Sequence, residues 1–439
     1  MINIKSVSGE MLVSWTGFAI VLALFVVTIA VYRRYFFNLS DIPGPFWASV
    51  TRLWHEWIIL EGKQNVRLKA LHREHGPFIR IAPNEVSVCH PDGPTLLLRA
   101  NSHKGDWYRV TAVPDYRFQN PMSTTNPMEK KALSKHFTPG YALSQILKRE
   151  SDINKNIENL LFWVESWLLL LPMGHLYWTT SIAIKKRLSN PKACNDMVTH
   201  WLGARQKSGK LTLRHIKAQA NVNMGAGAEP VSSAIQSLLY HLSRHPEDWL
   251  RVRDEIDDAI AKGLCHGRVV RFEDADKLTY LRACIKEALR VFSPTTMGLP
   301  RVVGKEGINI AGRYFQQGTV LSVSPSVVHT AKGIWENDAD QWNPERWLSG
   351  DAKKLDRNWI VFSAGYMTCP GRHFAWIQIC KVAATLLRNY DISQVDPNNQ
   401  WQYQANFTAL TYSWPVWVKK LEREGNMTSD IETLPVDRD

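Results

Sequence analysis

The chain has 439 residues, room for two to four domains of about 100 to 200 residues or for one large domain. Its 45% apolar and 21% charged residues, with 25 Gly and 22 Pro, exclude wholesale disorder, collagen and a bare coiled coil. The 53 Lys and Arg against 41 Asp and Glu leave a net charge of +12, which suits an acidic partner, an anionic membrane surface or a nucleic acid. The six cysteines (Cys89, Cys194, Cys265, Cys284, Cys369 and Cys380) are spread widely, unlike a small secreted disulfide scaffold, and predict reduced thiols in a cytosolic main body.

From Met11 to Tyr32 run 22 residues without one Asp, Glu, Lys or Arg. As a helix they extend about 33 Å, enough to cross a hydrocarbon core of about 30 Å. Trp15 and Tyr32 lie near the two ends, and Arg33 and Arg34 follow at once while only Lys5 precedes. That asymmetry places residues 1–10 in the lumen and the body in the cytosol. A cleaved signal peptide would have a shorter apolar region with its basic residues in front. Residues 33–48 then form a basic, Pro-rich hinge in which Pro43-Gly44-Pro45 cannot continue a helix. The sequons at Asn38, Asn406 and Asn426 would face the cytosol and stay unmodified.

The body reads as mixed, with helices dominant. Ile79 to Ile81 and Val86 to Val88 flank a Pro83-Asn84 turn, and a second strand-rich patch spans Val302 to Val323 with turns at Gly304, Gly312 and Gly318. Ile235, Leu238, Leu239 and Leu242 keep helical spacing up to Pro246, and Leu250, Ile256 and Ile260 continue on a second helix. A third helix carries Leu278, Leu281, Ile285, Leu289 and Phe292 on one stripe before Ser293-Pro294. No fixed-period repeat is present, which excludes solenoids and propellers.

Chemistry concentrates near the C-terminus. Phe362 to Arg372 leads into a helix carrying Phe374, Ile377, Val382 and Leu386, so Cys369 is expected at a helix N-terminus, where the macrodipole favours the thiolate a metal needs. Gly365 would permit a tight turn and the approach of a flat cofactor, and Phe362 would shield the sulfur. Taken alone, the segment equally fits a buried inert cysteine. A zinc half-site of Cys369 and His373 lacks a second pair at finger spacing. Glu287 and Arg290, three apart on the third helix, share a face; singly, such a pair is usually a solvated surface contact.

Company makes the difference. Glu287-x-x-Arg290, then Asn343-Pro344-Glu345-Arg346-Trp347, then Phe362-x-x-Gly365-x-x-x-Cys369-x-Gly371, in this order, resemble the heme-thiolate monooxygenases of the cytochrome P-450 superfamily, in the manner of its fungal secondary-metabolism members. The resemblance takes in the apolar N-terminal segment, the Pro-Gly-Pro hinge and the stretch from Gly76 to Arg80, and is weakest in the middle. It implies a mostly α fold with small β-sheets, with a catalytic domain over 49–425 and a polar tail over 426–439. It makes Cys369 the axial ligand of heme b iron, whose thiolate favours O–O cleavage. Glu287, Arg290 and Arg346 become a buried charge network, Arg301 a cation for a heme propionate, and Thr296, Met297 and Phe407 the lining of an apolar pocket. Ala226-Gly227-Ala228-Glu229 matches the central helix over the oxygen-binding face, with Glu229 the residue left to handle protons.

The chain also departs from the pattern. Pro230 stands where the family usually has a Thr that helps deliver protons. Met367 stands where it usually has a basic residue for a propionate. Lys130 and Lys131 are present near Met128 to Phe137 without the customary aromatic partner. Only 80 residues, Thr138 to Lys217, remain for about five helices, and Leu168 to Pro172 jumps between family regions, which reads as an internal deletion near 165–175. The expected function is a monooxygenase at the endoplasmic reticulum membrane, oxidising an apolar small molecule with electrons from NADPH through a flavin-containing reductase. Lys130, Lys131, Lys135 and Arg372 are candidates for docking that reductase. The alternatives are an isomerase- or dehydratase-like member needing no proton delivery, and an inactive heme-binding paralogue. The basic residues are dispersed and match no nucleic-acid module.

Overall fold

The structure, a computed structural model, describes residues 4–99, 102–105, 108, 124–125, 172–190, 197–208, 212–349 and 355–422. Positions Lys130, Lys131 and Lys135, most of the proposed deletion and the tail lie outside them. Helix α1 (Ile4–Val31) continues through a π-helical turn at Tyr32–Phe36. Its stretch Trp15–Phe36, of mean hydropathy 2.2, is long and apolar enough to cross a membrane, and its apolar part is not buried in the body. The hinge behind it is no free linker. Leu39 and Ile42 are buried, the Arg33 guanidinium donates to the Val50 carbonyl at 2.9 Å, and Arg80 N–H donates to Pro43 O at 2.8 Å. Gly44 suits this contact, since a Cβ there would stand 2.4 Å from the Arg80 carbonyl oxygen.

Helix α2 (Gln64–His75) precedes the hairpin of β1 (Phe78–Ala82) and β2 (Glu85–Val88), paired antiparallel as the Pro83-Asn84 turn requires. With β3 (His103–Lys104), β4 (Leu299–Val302) and β7 (Val320–Val323) these form a sheet in the order β1-β2-β7-β4-β3, where the parallel pairing of β2 with β7 spans most of the chain. β5 (Ile308–Ile310) and β6 (Arg313–Phe315) close a hairpin between β4 and β7. Val86, Val88, Leu299, Leu321 and Val323 pack with Leu39 and Ile42 into one core.

The helical part has its own core. Helices α3 (Pro172–Ser189) and α4 (Met197–Ser208) precede the long α5 (Leu213–Arg244), which begins on a capping box between Thr212 and His215 and passes through Pro230. α5 stops at His245, and Pro246 opens α6 (Pro246–Ala261), as a proline at a first helical position should. α7 (Thr279–Val291) sends Leu281, Ile285 and Leu289 into a cluster with Leu238 and Leu242 of α5, Val252 and Ile256 of α6, and Ala383 and Leu387 of α8 (Arg372–Asn389). Two further two-stranded sheets, β8 (Tyr390–Gln394) with β11 (Val416–Lys420) and β9 (Gln402–Ala405) with β10 (Ala409–Ser413), follow α8. The mostly helical architecture with small sheets is thus the one expected.

Several histidines are buried as neutral rings. Burial pushes His72 down to about 4 and His241 to about 3, and lowers His55 and His329 as well. His72 shows why: Nδ1 pairs with the Gly76 carbonyl and Nε2 with the Ser87 hydroxyl, both at 2.8 Å, so the ring fills its site without a counter-ion. A group depressed in the folded state contributes stability above its unfolded pKa of about 6.5 that is lost as pH falls towards the folded value. Stability measured by urea unfolding should therefore drop by about 1 to 3 kcal/mol per pH unit between pH 6 and 4.5. A flat profile over that window would contradict the neutral-ring assignment.

Candidate functional site

The side of α7 opposite its apolar stripe is buried too, and it holds charge. Glu287 and Arg290 are both 0% exposed and meet at 2.7 Å. The Glu287 carboxylate accepts from Arg290 Nε and Nη2, from Arg346 Nε at 3.1 Å, from Trp347 Nε1 at 2.9 Å and from the Asn343 N–H at 2.9 Å. Arg290 spends its remaining donors on the carbonyls of His329 (2.6 Å), Gln341 (2.7 Å) and Ala339, with its guanidinium over the Trp335 ring. Arg346 also binds Asp338 at 2.7 Å, which with the Asn343 amide and the Arg346 guanidinium holds that carboxyl below the usual range. Every strong group is satisfied, so the spacing that alone suggests a surface pair is here an interior network.

From this network the structure leads directly to the cysteine segment. The His329 ring sits between them: its carbonyl takes Arg290, and its Nε2 accepts the Ile360 N–H at 2.9 Å. Acceptance at Nε2 requires the neutral ring, which burial and the nearby Arg290 and Lys69 charges enforce. The second link is aromatic. Trp347, Trp359 and Phe362 follow one another at centroid distances of 6.0 Å, and Trp359 Nε1 donates to the Lys286 carbonyl. The Phe362 carbonyl then accepts the Cys369 N–H at 2.8 Å. Neither His329 nor Trp359 was singled out by sequence; their roles depend on backbone atoms that no residue pattern displays.

Cys369 lies in the turn before α8, whose N-cap is Gly371, two residues on. It is part-exposed and unbonded to another cysteine, whereas Cys265, Cys284 and Cys380 are buried, with Cys380 pushed up to about 12 by burial. Ser363 and Gly365 both have positive φ, +58° and +67°. At Gly365 a Cβ would stand 2.3 Å from the Leu98 carbonyl oxygen, so the close approach this glycine permits among the described residues is to backbone at 98–99.

Arg301, 1% exposed on β4, faces Lys104 across the β3–β4 ladder, and Lys104 is buried too. The Tyr108 ring lies 4.2 Å from Lys104 Nζ and 5.8 Å from the Arg301 guanidinium. Arg301 Nη1 donates to the Tyr108 hydroxyl, while Arg301 Nε is buried with no partner among the described residues. Tyr366, beside Met367, reaches the Ser102 carbonyl at 2.6 Å, and burial pushes its phenol up to about 12. Arg301 Nε, buried without a partner among the described residues, calls for an acceptor there. Heme carboxylates fit that requirement. Lys104, Tyr108 and Tyr366 escaped the sequence reading, although their signal was the register that puts Lys104 opposite Arg301.

The remaining predicted residues fall in two groups. Thr296 and Phe407 meet: the Thr296 N–H donates to the Phe407 carbonyl at 3.2 Å, and the Thr296 hydroxyl to the Asn406 carbonyl at 3.0 Å. Met297 is buried beside them in sequence. Glu229, by contrast, is exposed on α5, next to Pro230 and apart from the network. A Cβ built at Gly225 or Gly227 meets no described atom within 4 Å.

A part-exposed thiol on a supported turn and a buried arginine with an unpaired Nε among the described residues fit a heme-thiolate type of site. The family model for cytochrome P450 matches residues 179–412, and the chain belongs to that family. It is similar to the cytochrome P450 monooxygenase cicH of Emericella nidulans, 24% identical over 90% of this chain and 97% of the relative. It resembles the cytochrome P450 monooxygenase gsfF of Penicillium aethiopicum at 25% identity, over 86% and 92% of the two chains. A pisatin demethylase of Fusarium vanettenii is 23% identical over 88% and 93%. The first of these alignments is 487 positions long although it uses 90% of 439 residues, so that relative carries residues with no counterpart here.

Removing one member of the network strands a buried charge, which costs about 3 to 5 kcal/mol. Glu287→Ala is expected to give little folded, heme-loaded protein, read as heme per chain and thermal midpoint. Wild-type loading and stability in that variant would mean the network carries no structural load.

Proposed function

We propose that the chain is a membrane-anchored heme-thiolate monooxygenase that oxidises an apolar small molecule in fungal secondary metabolism. The observation that carries this reading is the seating of the Cys369 turn, tied through Phe362, Trp359 and Trp347 to Glu287 and through Ile360 and His329 to Arg290. When bound, heme supplies the oxygen and redox chemistry. The chain's part is to hold the Cys369 sulfur at a helix N-terminus, to meet heme carboxylates with the Arg301 and Lys104 cations, and to keep an apolar space near Met297 and Phe407. The apolar α1 fits an anchor in the endoplasmic reticulum membrane, with the body cytosolic and electrons arriving from NADPH through a flavin reductase. Arg372, exposed as the first residue of α8, lies on the face where such a partner would approach.

A second reading has its own observation. Pro230 lies inside α5 and leaves the Ala226 carbonyl without its N–H partner. No hydroxyl stands at that place: the Ser232 hydroxyl accepts from Gln236, and Ser233 is buried. Proton handling then falls to Glu229 or to water. This favours poor coupling, or an isomerisation or dehydration that needs no proton delivery, or a chain that binds heme without turnover.

Cys369→Ala should abolish the thiolate heme spectrum while Cys380→Ala, in the core, preserves it; an unchanged spectrum in the first would sink the ligand assignment. For Pro230, product per NADPH oxidised should be low in the native chain, with peroxide released, and should rise several-fold in Pro230→Thr. Tight coupling in the native chain would refute the reading of Pro230, and heme-free protein would support the inactive paralogue.

A further inference from the structure

Away from the cysteine turn, a cleft of about 760 Å³ opens between α2, the ends of the β1–β2 hairpin and residues 327–340. Its apolar walls are Pro77, Pro91, Val327 and Ile334. The charged groups facing it are Lys69 and Arg73 from α2, Lys332, and Asp340, with His72 and His90 at the edges. Most of these are already matched. Arg73 holds Asp340 at 3.1 Å, His90 faces Asp92 at 3.6 Å, and His72 is neutral. The Cys89 thiol is pushed up to about 12 by burial, so it adds no anion. Lys69 differs. Among the described residues no group accepts from its ammonium, and Arg73 and Arg290 stand near it with like charge.

We infer that this cleft is a second binding site, distinct from the heme pocket, for a small organic carboxylate with an apolar body, its charge on Lys69. Volume and lining suit a ligand of that size, apolar over most of its surface with a few polar anchors. One unmatched ammonium at the wall, with Lys332 exposed at the rim, matches a single negative charge rather than a phosphate dianion, which would need more donors than the cleft offers. The cleft holds the ammonium at a cost: desolvation first, then Arg73 and Arg290, push Lys69 down to about 8, opposed by Asp340. A carboxylate relieves that cost, so affinity should decline as pH rises through about 8. For the same reason Lys69→Met, which keeps the stem and removes the charge, should fold normally.

Calorimetric titration of the heme-loaded full chain tests this with 4-phenylbutyrate, its neutral amide and inorganic phosphate, while the heme bands are followed. The expected result is saturable 4-phenylbutyrate binding without any band shift. It should weaken at least tenfold for the amide, in Lys69→Met, and in Ala331→Trp, which fills the cleft. Undiminished binding in Lys69→Met or Ala331→Trp, equal binding of the amide, band shifts in step with occupancy, phosphate binding in place of the carboxylate, or no binding at millimolar ligand would each overturn the inference.

Discussion

A carboxylate with no exposure to water must be met on every side, and Glu287 is the point on which this structure turns. Burying its charge alone would cost several kcal/mol, and the Arg290 guanidinium repays that only because the remaining lone pairs and N–H groups also find partners. Those partners come from Gln341, Asn343, Arg346 and Trp347, so satisfying one side chain folds the 338–347 segment onto α7. The apolar stripe of the same helix fixes it in the helical core. α7 is therefore held from both sides, by area on one and by hydrogen bonds on the other. The cysteine turn inherits its position from this arrangement through His329 and the Trp347–Trp359–Phe362 series.

By contrast, Arg301 lies opposite the buried Lys104 on the β3–β4 ladder, and its Nε has no partner among the described residues. Tyr366 stands next to Met367, and its hydroxyl donates to the Ser102 carbonyl, so it ties the cysteine turn to the chain beside β3. Around Pro230 the helix offers Glu229 to solvent and a Ser232 hydroxyl already engaged.

How much of this could be read from the residues depends on the range of the interaction. The hairpin at Pro83-Asn84, the stripe of α7 and the stop before Pro246 are local, and periodicity and turn chemistry place them within a residue or two. Cys369 and the Glu287-x-x-Arg290 pair stand out because short spacings carry them, and the family pattern gave them meaning together. His329, Lys104, Tyr108 and Tyr366 were not visible, since each acts through a backbone carbonyl, a strand register or a contact across 100 or more residues. The hinge shows the same limit: the residues say that Pro43-Gly44-Pro45 cannot continue a helix, while only the structure shows Leu39 and Ile42 in the sheet core and Arg80 hydrogen-bonded to Pro43. Composition cannot distinguish a stiff linker from a stiff strap.

The central claim is that the buried network seats Cys369 as a thiolate ligand in this particular chain, despite Met367, Pro230 and the short middle region. The ferrous carbon monoxide difference spectrum of the purified full-length protein tests it most directly. The account predicts the family's thiolate-type band, at an intensity matching one heme per chain. A spectrum of the kind given by a neutral or nitrogen ligand, or protein that takes up no heme while remaining folded, would contradict it.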